Sequence, residues 1–452
     1  MIFQERILQY LLVCAGSLAN LQSGLNDGWP SFALPELQSN ASTVPLTNEE
    51  GLWIATAYPI GTTIGSILLP FTIDMFGRKT MLLVGTLPFF GTWMVIAFLR
   101  TVRELLIARF VGGMLQSIIY ICVPVYLAEI VDPEIRGFLI TITKSFYIVG
   151  ILLNNILGSL FGITTSALIS SALALGVCLC ILVPESPYFY IIKNKDDKAR
   201  ISLEMFKRNA SIDSIRNAVD EQKVNNGKWS ELFTVASNRK SLTIILGIRV
   251  FQQLSGGVSL LYYAQTLFVE TSIDINPIIF LSIYFALPIL LMIINGKIID
   301  KFGRKPMLVM SMSIIIVSLS ILSVYFSLKN MTEMDVSHHA WCPVSGLFLY
   351  VVGNTLGLNN IPYLIVSEIF PLHVKNWAIA SANVFYGISV TLVSKFFQYT
   401  KDEFGLHLPF IVFTICSICS LPFFIFCVPE TKKQTLEEIE KKLRCKQNSN
   451  VD

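Results

Sequence analysis

The hexapeptide DMFGRK at Asp74–Lys79 returns as DKFGRK at Asp300–Lys305, half a chain away in a sequence of 452 residues. An acid that stands seven residues before a base, and a Pro-Glu-Ser or Pro-Glu-Thr triplet, recur in the same order. These further pairs are Glu129 and Arg136 against Glu368 and Lys375, and Pro184–Ser186 against Pro429–Thr431. Three ordered pairs at a nearly constant offset indicate duplication of one half of the chain.

The composition is that of a membrane protein. The chain is 53% hydrophobic and only 14% charged, with a mean hydropathy of +0.62, whereas a soluble domain carries roughly 25% charged residues. Apolar runs near or above the roughly 20 residues that cross a bilayer as a helix recur along it. They include 105–131, 138–161, 242–269, 277–294 and 409–428. The sequence therefore predicts an all-α membrane protein with about twelve spans, six in each half.

Span number and charge give the expected layout. An even number of spans in each half makes the repeats parallel, as in carriers whose substrate site lies between two halves. Lys and Arg collect in 185–240, so the positive-inside rule makes this connector cytoplasmic. We expect an N-terminal bundle over 1–184, the connector with short helices, a C-terminal bundle over 241–428 and a tail over 429–452. We also expect a monomeric, multi-pass plasma-membrane protein with both termini in the cytoplasm.

Other sequence features point away from covalent chemistry. NAS at Asn40 and NMT at Asn330 fall on the predicted outer side and are candidates for N-glycosylation, although the same pattern at Asn209 falls inside. Most cysteines lie in apolar runs, which favours small buried hydrophobes over disulfides or metal ligands. Neither a nucleophile–base pair nor a phosphate loop appears. The sequence predicts no enzymatic activity, metal, cofactor or nucleic-acid partner.

The repeated hexapeptide predicts a charged turn at the cytoplasmic surface. Gly77 and Gly303 suit a tight turn between two helices, and the flanking charges can pair with each other and with helix ends. We expect these charges to latch the halves together while the site faces outward; positive-inside anchoring alone is the alternative. The predicted latch residues are Asp74, Arg78, Glu129, Arg136, Glu185, Asp300, Arg304, Glu368, Lys375 and Glu430.

A second stretch, RVFQQLSGGVSLLYYAQ at Arg249–Gln265, carries the candidate binding residues. A buried amide without a partner costs about 1–3 kcal/mol, so Gln252 and Gln253 should face a wet cavity or a polar ligand rather than lipid. Their donors and acceptors suit sugar hydroxyls, and the glycines that follow can loosen the helix. Tyr262 and Tyr263 could then close over the sugar. Packing of amides between helices is the alternative.

Seven motifs together resemble one known family, the sugar porters of the major facilitator superfamily, and most of all the insect facilitated trehalose transporters and their relatives. The motifs are DMFGRK, RFVGG at 109–113, YLAEIVDPEIRG at 126–137, PESP at 184–187, FQQLSG at 251–256, DKFGRK and VPETK at 428–432. The resemblance implies twelve helices in two six-helix bundles, a central sugar cavity and alternating access. It also implies that the paired glutamines contact the sugar.

The same resemblance suggests where the cavity departs from the family. Asn354 and Thr355 stand where the family has an aromatic residue and often a Glu, and Tyr363 stands in place of Trp. We expect these residues to line the cavity. The predicted substrate is trehalose, a hexose or a related polyol. A non-transporting sensor or degenerate carrier with the same fold is the alternative from another class.

Energy coupling is predicted from the first span. Asn26 matches the position at which proton-linked relatives carry an Asp facing the fourth-helix arginine, here Arg109, and Asp27 stands beside it. A neutral amide carries no proton, so we expect facilitated diffusion, with Asn26 near the sugar and Asp27 paired with Arg109 in the outer half. A proton-coupled sugar symporter is the alternative.

Lys144 is a lysine that the sequence predicts to lie close to mid-membrane. It follows Arg136 by eight residues, which places it about 12 Å inward from the end of its helix. Because an ammonium facing lipid at that depth costs at least about 2.5–3.5 kcal/mol, we expect it to face the cavity. By resemblance it replaces a sugar-contacting Gln. It either serves a neutral sugar, with Asp27 as a candidate partner, or acts with Arg249 to favour an anionic substrate.

Overall fold

The computed structural model of the protein describes residues 7–39, 44–131, 133–206, 212–213, 215–216, 219, 229–271, 276–331 and 339–432. Asn40 and the side chains of Arg136 and Asp300, which the sequence analysis singled out, lie outside this described part. The chain divides into two compact units, Met1–Asn226 and Gly227–Asp452. The boundary falls inside the predicted connector. The four-part layout remains a prediction.

The first unit is built from helices throughout its described residues. They are α1 (Ile7–Gln38), α2 (Asn48–Phe76), α3 (Arg78–Thr86), α4 (Phe89–Ala97), α5 (Val102–Ile130), α6 (Pro133–Ala174) with a 3₁₀ continuation (Leu175–Leu182), α7 (Pro187–Ile192) and α8 (Asp196–Met205). Helix α6 is interrupted at Gly162, whose φ of 73° and ψ of −178° are not helical. It therefore holds two consecutive spans that meet at this glycine.

The second unit follows the same plan with more breaks. Its helices are α9 (Glu231–Thr234), α10 (Ala236–Leu254), α11 (Gly257–Tyr262), α12 (Ala264–Val269), α13 (Pro277–Phe302), α14 (Arg304–Met331), α15 (Trp341–Gly353), a π-helix (Asn354–Leu358), α16 (Ile361–Ile369), α17 (Leu372–Phe404) and α18 (His407–Phe426). Helices α10 to α12 follow one another with single-residue or two-residue interruptions. The π-helix similarly joins α15 to α16.

Helix length and hydropathy support twelve spans. In the described residues, eight helical segments are long and apolar enough to cross a membrane, and one of them, Leu139–Leu182, has 44 residues and holds two spans. Helices α1, α2 and α13 have 32, 29 and 26 residues. At about 1.5 Å per residue each exceeds the roughly 30 Å of the hydrocarbon core. The predicted twelve spans, six per unit, agree with these elements.

Glycines bring the helices of the first unit into backbone contact. A Cβ added at Gly24 of α1 would lie 1.9 Å from the carbonyl oxygen of Tyr147 in α6, and one at Gly61 of α2 would lie 2.0 Å from that of Phe110 in α5. No side chain fits at either distance. Small residues therefore set the α1–α6 and α2–α5 packing that positions the polar groups described below.

The connector helices of the first unit form a small apolar core of their own. Its buried members are Ile191, Ala199, Leu203, Ile215 and Val219. Ser202 of α8 donates a 2.6 Å hydrogen bond to the backbone oxygen of Glu185, which ties this core to the end of the sixth span. Burial and the nearby Glu185 carboxylate raise the pKa of Tyr190. The connector thus reaches the charged turn of its own unit.

Candidate functional site

The charged turn of the first unit is an ion-pair cluster centred on Arg78. Its buried guanidinium lies 2.8 Å from the Asp74 carboxylate and 3.0 Å from that of Glu129. Glu185 accepts hydrogen bonds from the backbone N–H groups of Arg78 and Lys79 at 3.0 Å each. The carboxylate of Glu185 therefore caps the start of α3, where the helix dipole favours a negative charge.

The second unit repeats this arrangement at the start of α14. The Arg304 guanidinium lies 3.0 Å from the Glu368 carboxylate. Glu430 accepts hydrogen bonds from the backbone N–H groups of Arg304 and Lys305, both at 3.1 Å. Glu368 thus corresponds to Glu129 as the ion-pair partner, and Glu430 corresponds to Glu185 as the helix cap. The duplication visible in the sequence reproduces both the ion pair and the helix cap.

A glycine makes each cap possible. Gly77 and Gly303 have φ angles of 93° and 100°, which disfavour any residue with a side chain. A Cβ would lie 2.4 Å from Glu185 at Gly77 and 2.7 Å from Glu430 at Gly303. The ion pairs above each lie within one unit, so a latch between the halves remains a prediction. Lys375, the last predicted latch residue, is half-buried in α17.

A polar cluster on α1, α5 and α6 surrounds Asp27 in the first unit. Its Oδ2 atom accepts a 2.8 Å hydrogen bond from the Gln116 amide and a 2.7 Å bond from the Tyr147 hydroxyl. The same carboxylate oxygen thus links α1 to both α5 and α6. Neither Gln116 nor Tyr147 was singled out by the sequence analysis. Both are polar groups inside apolar runs, and that feature could have identified them.

Arg109 is fully buried beside this cluster. Its Nη1 donates a 2.6 Å hydrogen bond to the backbone oxygen of Asn26, and its guanidinium carbon lies 4.6 Å from the ring centroid of Tyr58 and 5.3 Å from that of Trp29. Cation–π contacts of this kind stabilise a desolvated guanidinium. The predicted ion pair with Asp27 remains a prediction.

Asn26 and Lys144 differ in their surroundings within the first unit. Asn26 is fully buried, its amide donates to the backbone oxygen of Gln22 at 3.2 Å, and its side-chain oxygen faces Gly112 of α5. Lys144 is exposed on α6, one turn before Tyr147. Contact of either residue with substrate remains a prediction.

In the second unit, the helix that carries the paired glutamines breaks immediately after them. Helix α10 ends at Leu254 and α11 begins at Gly257, with Gly256 in the left-handed region at φ 82° and ψ 13°. A Cβ at Gly256 would lie 2.6 Å from the ring of Phe413. Conformation and close packing therefore both require glycine here. The structure supplies the interruption expected from the two glycines.

Gln252 is held by both ends of its amide. Its Oε1 accepts a 2.9 Å hydrogen bond from Nη1 of Arg249, and its Nε2 donates a 2.8 Å bond to the backbone oxygen of Leu358. These bonds link α10 to the π-helix. An amide has two acceptor lone pairs and two N–H donors, so Gln252 retains one of each for a ligand. Its neighbour Gln253 is also buried and has no side-chain hydrogen bond among the described residues.

The tyrosines beyond the break are packed inside the second unit. Tyr263 stacks on Phe397 with ring centroids 5.2 Å apart, and the Lys401 ammonium lies 5.4 Å from its ring centroid. Its hydroxyl has no hydrogen-bond partner among the described residues. Tyr262 is buried as well. Closure of these two residues over a sugar remains a prediction and would require them to leave these positions.

The π-helix places Asn354 and Thr355 opposite α13 and α14. Asn295 of α13 donates a 2.7 Å hydrogen bond to the backbone oxygen of Thr355, and Ser311 of α14 donates a 2.6 Å bond to that of Gly353. These side chains satisfy carbonyls beside a widened turn. Because π-helical turns are frequent at functional sites, this segment is a candidate part of the binding region. Thr355 is buried and Asn354 is half-buried.

Tyr363 forms a cation–π contact with Arg249. The Arg249 guanidinium carbon lies 4.0 Å from the ring centroid of Tyr363 in α16 and 5.1 Å from that of Tyr386 in α17. Arg249 is 1% exposed. Its role as a second cation for an anionic substrate, one of the two readings of the sequence, remains a prediction, and its contact with these two rings was not predicted.

The described residues contain no group of three or more metal-ligating side chains, and their eight cysteines are free. Asn330, the sequon inside the described part, is exposed at the end of α14. Its side-chain nitrogen lies 3.4 Å from Nδ1 of His407. N-glycosylation at Asn330 remains a prediction.

Comparisons with known proteins give the class first. The protein resembles "the MFS (major facilitator superfamily) proton:xylose symporter XylE bound to 6-bromo-6-deoxy-D-glucose" with a TM-score of 0.77, 20% identity, and coverage of 96% of this chain and 99% of that one. An inward open structure of XylE from E. coli matches with a TM-score of 0.76 and 21% identity, covering 98% and 99%. At these identities the likeness shows the fold alone, and it confirms the predicted twelve-helix major facilitator fold.

The family follows from sequence. The family described as "Sugar (and other) transporter" matches residues 13–443. "Facilitated trehalose transporter Tret1" of Aedes aegypti is 31% identical over 96% of this chain, and that of Culex quinquefasciatus is 30% identical over 96%. The chain spans 55% of the Aedes relative's length and 86% of the Culex relative's length. The chain therefore belongs to the family described as "Sugar (and other) transporter".

Proposed function

We propose that this membrane protein carries a neutral sugar, trehalose or a hexose, by facilitated diffusion with alternating access. The observation that carries the proposal is the break of α10 directly after two buried amides. Gln252 and Gln253 directly precede the break, and Gln252 bonds to the π-helix. Irregular backbone at membrane depth is tolerated only where it is buried in protein or lines a water-filled cavity. The family description "Sugar (and other) transporter" supports a sugar as the substrate. The names of the Tret1 relatives favour trehalose within that class.

Gln253 is the proposed primary sugar contact. It is buried, yet its amide donors and acceptor are not used by described residues, so a sugar hydroxyl can pair with them. Gln252 contributes its remaining lone pair and N–H while its two protein bonds fix its orientation. Asn354, Thr355 and Tyr363 extend the proposed site along the π-helix. Asn26, Lys144, Tyr262 and Tyr263 are further proposed contacts.

Facilitated diffusion is favoured by the environment of the first span. Asn26 cannot carry a proton, and its side chain is fully buried. Proton-coupled symport is the second candidate, because Asp27 is a buried carboxylate whose bonds to Gln116 and Tyr147 could respond to protonation. Asp27→Asn separates the two: facilitated uptake should survive this change, and proton-driven accumulation should not.

The remaining proposals concern placement in the cell. We propose a monomer in the plasma membrane, with both termini and the connector on the cytoplasmic side and N-glycans at Asn40 and Asn330. The proposed layout is 1–184, 185–240, 241–428 and 429–452. The paired charges at the starts of α3 and α14 would change partners between the inward-facing and outward-facing states.

Uptake by purified protein in proteoliposomes tests the proposal. Labelled trehalose and labelled glucose should enter vesicles containing the wild type faster than empty vesicles, and Gln253→Ala should raise KM. The matched control is Gln265→Ala, which removes an amide of the same size on α12 beyond the break. No uptake of either sugar, with the protein shown to be folded, would overturn the proposed function.

A further inference from the structure

Arg249 is a buried cation without a described counter-ion. It lies on α10, thirteen residues after Ala236, which is about 20 Å along the helix and therefore well inside the membrane. Only 1% of its surface is exposed. Among the described residues no carboxylate pairs with it, and its Nε atom has no hydrogen-bond partner. A charged group held at this depth marks a functional site by default.

The protein stabilises this charge with polarisable neutral groups. Two tyrosine rings, Tyr363 and Tyr386, lie 4.0 and 5.1 Å from the guanidinium carbon, and Gln252 accepts one of its N–H groups. Aromatic rings and an amide oxygen attract the guanidinium but carry no net charge, so they stabilise Arg249 without neutralising it. The field of Arg249 therefore extends into its surroundings.

Described acidic side chains of the second unit lie at helix ends or in loops rather than along α10. They are Glu231, Glu270, Glu368, Asp402, Glu403 and Glu430. Glu368 and Glu430 are engaged at the charged turn by Arg304 and its backbone. Glu270 pairs with Lys329, and Asp402 pairs with Lys401. These pairs leave the positive potential around Arg249 largely unbalanced within the described residues.

Gln253 lies one helical turn from Arg249, about 6 Å along the helix axis. A sugar bonded to Gln253 would thus lie within about 10 Å of the guanidinium. In a medium of effective dielectric constant about 20, a unit charge at that distance changes affinity by about tenfold, or about 1.4 kcal/mol. The effect requires no direct contact with the buried guanidinium.

We infer that Arg249 sets the charge selectivity of the carrier: it admits neutral and carboxylate-bearing sugars and rejects sugars that carry an ammonium group. The inference rests on the proposed sugar-transport function and adds the class of substrate that the site excludes. Arg249 acts on the substrate through its field and through the orientation of Gln252, and is in this sense a specificity-determining residue.

Three hexoses with the same ring provide the test: glucose, glucosamine with an ammonium group and glucuronate with a carboxylate. Each competes with uptake of labelled glucose or trehalose, whichever the wild type transports, at about pH 6, where amines are protonated and carboxylates ionised. For each protein, the affinity for each charged sugar is divided by its affinity for glucose. We expect this ratio to be about tenfold lower for glucosamine, and about tenfold higher for glucuronate, in the wild type than in Arg249→Met. Arg249→Lys should keep the selectivity, because it keeps the charge.

Arg239→Met is the matched control, since it removes the same charge from the exposed first turn of α10. It should leave the selectivity unchanged. Should Arg249→Met not fold, Arg249→Gln replaces it, because glutamine retains a donor for Gln252. Equal competition by glucosamine and glucuronate in the wild type would overturn the inference. The same selectivity in the wild type and in Arg249→Met would also overturn it. Absence of sugar uptake by the wild type would instead overturn the proposed function, and the inference with it.

Discussion

Replacement of Gln252 by alanine should lower stability, and the neighbouring replacement Gln253→Ala should not do so to the same extent. Gln252→Ala removes the 2.9 Å bond from the Arg249 guanidinium and the 2.8 Å bond to the Leu358 carbonyl, and it leaves both groups unpaired. A hydrogen bond to a charged group is worth about 1.5–3 kcal/mol and a neutral one about 1 kcal/mol. The expected loss is therefore about 3 kcal/mol.

The difference between the two variants isolates these bonds. Both replacements delete the same atoms from buried positions one residue apart, so their packing losses are similar. For a unit of about 200 residues, about 3 kcal/mol corresponds to a fall in Tm of about 6–12 °C. Thermal unfolding of the purified variants in detergent measures this fall. Equal Tm values for Gln252→Ala and Gln253→Ala would refute the reasoning, because the two described bonds would then contribute nothing.

Four further outcomes are expected. Gly256→Ala should lower Tm in the same assay, because it places a methyl group 2.6 Å from Phe413 at a positive φ; an unchanged Tm would contradict this geometry. Arg78→Ala and Arg304→Ala should alter turnover by shifting the balance of inward and outward states, measured by exchange rates and by conformation-dependent labelling, and unchanged values in both would count against the latch. Asp27→Asn should leave sugar uptake down a concentration gradient intact. If the wild type accumulates sugar when the outside is acidic and Asp27→Asn does not, symport is favoured. Lys144→Gln should preserve or raise neutral-sugar uptake. Loss of sugar uptake in this variant, together with better wild-type transport of anionic sugars, would favour an anionic substrate instead.

Much of the fold could be predicted because membrane insertion imposes simple rules. Apolar runs of about 20 residues must form helices in lipid, so composition alone gives the spans. The repeat of DMFGRK and DKFGRK predicts that two clusters share one geometry, and the Arg78 and Arg304 turns bear this out. The caps by Glu185 and Glu430 follow from the same repeat, since both acids hold matching positions after the last span of each unit.

The polar contacts inside each unit could not be predicted in the same way. That Asp27 bonds to Gln116 and Tyr147 depends on how α1 packs against α5 and α6, and glycine contacts at the backbone set that packing. The two rings over Arg249 come from α16 and α17, far along the chain. A lone arginine in an apolar run does not specify which side chains will contact it. The sequence identified Asp27 and Arg249 as polar residues inside apolar runs, but not the side chains that contact them.

The accumulation ratio of labelled sugar in proteoliposomes tests the central claim most directly. The internal and external concentrations of trehalose or glucose are compared at the end of uptake, with equal pH on both sides and with acid outside. Facilitated diffusion by this chain predicts a ratio near one in both conditions, reached more slowly in Gln253→Ala because of its raised KM. A ratio well above one with acid outside, or wild-type uptake no faster than that of empty vesicles, would contradict the account.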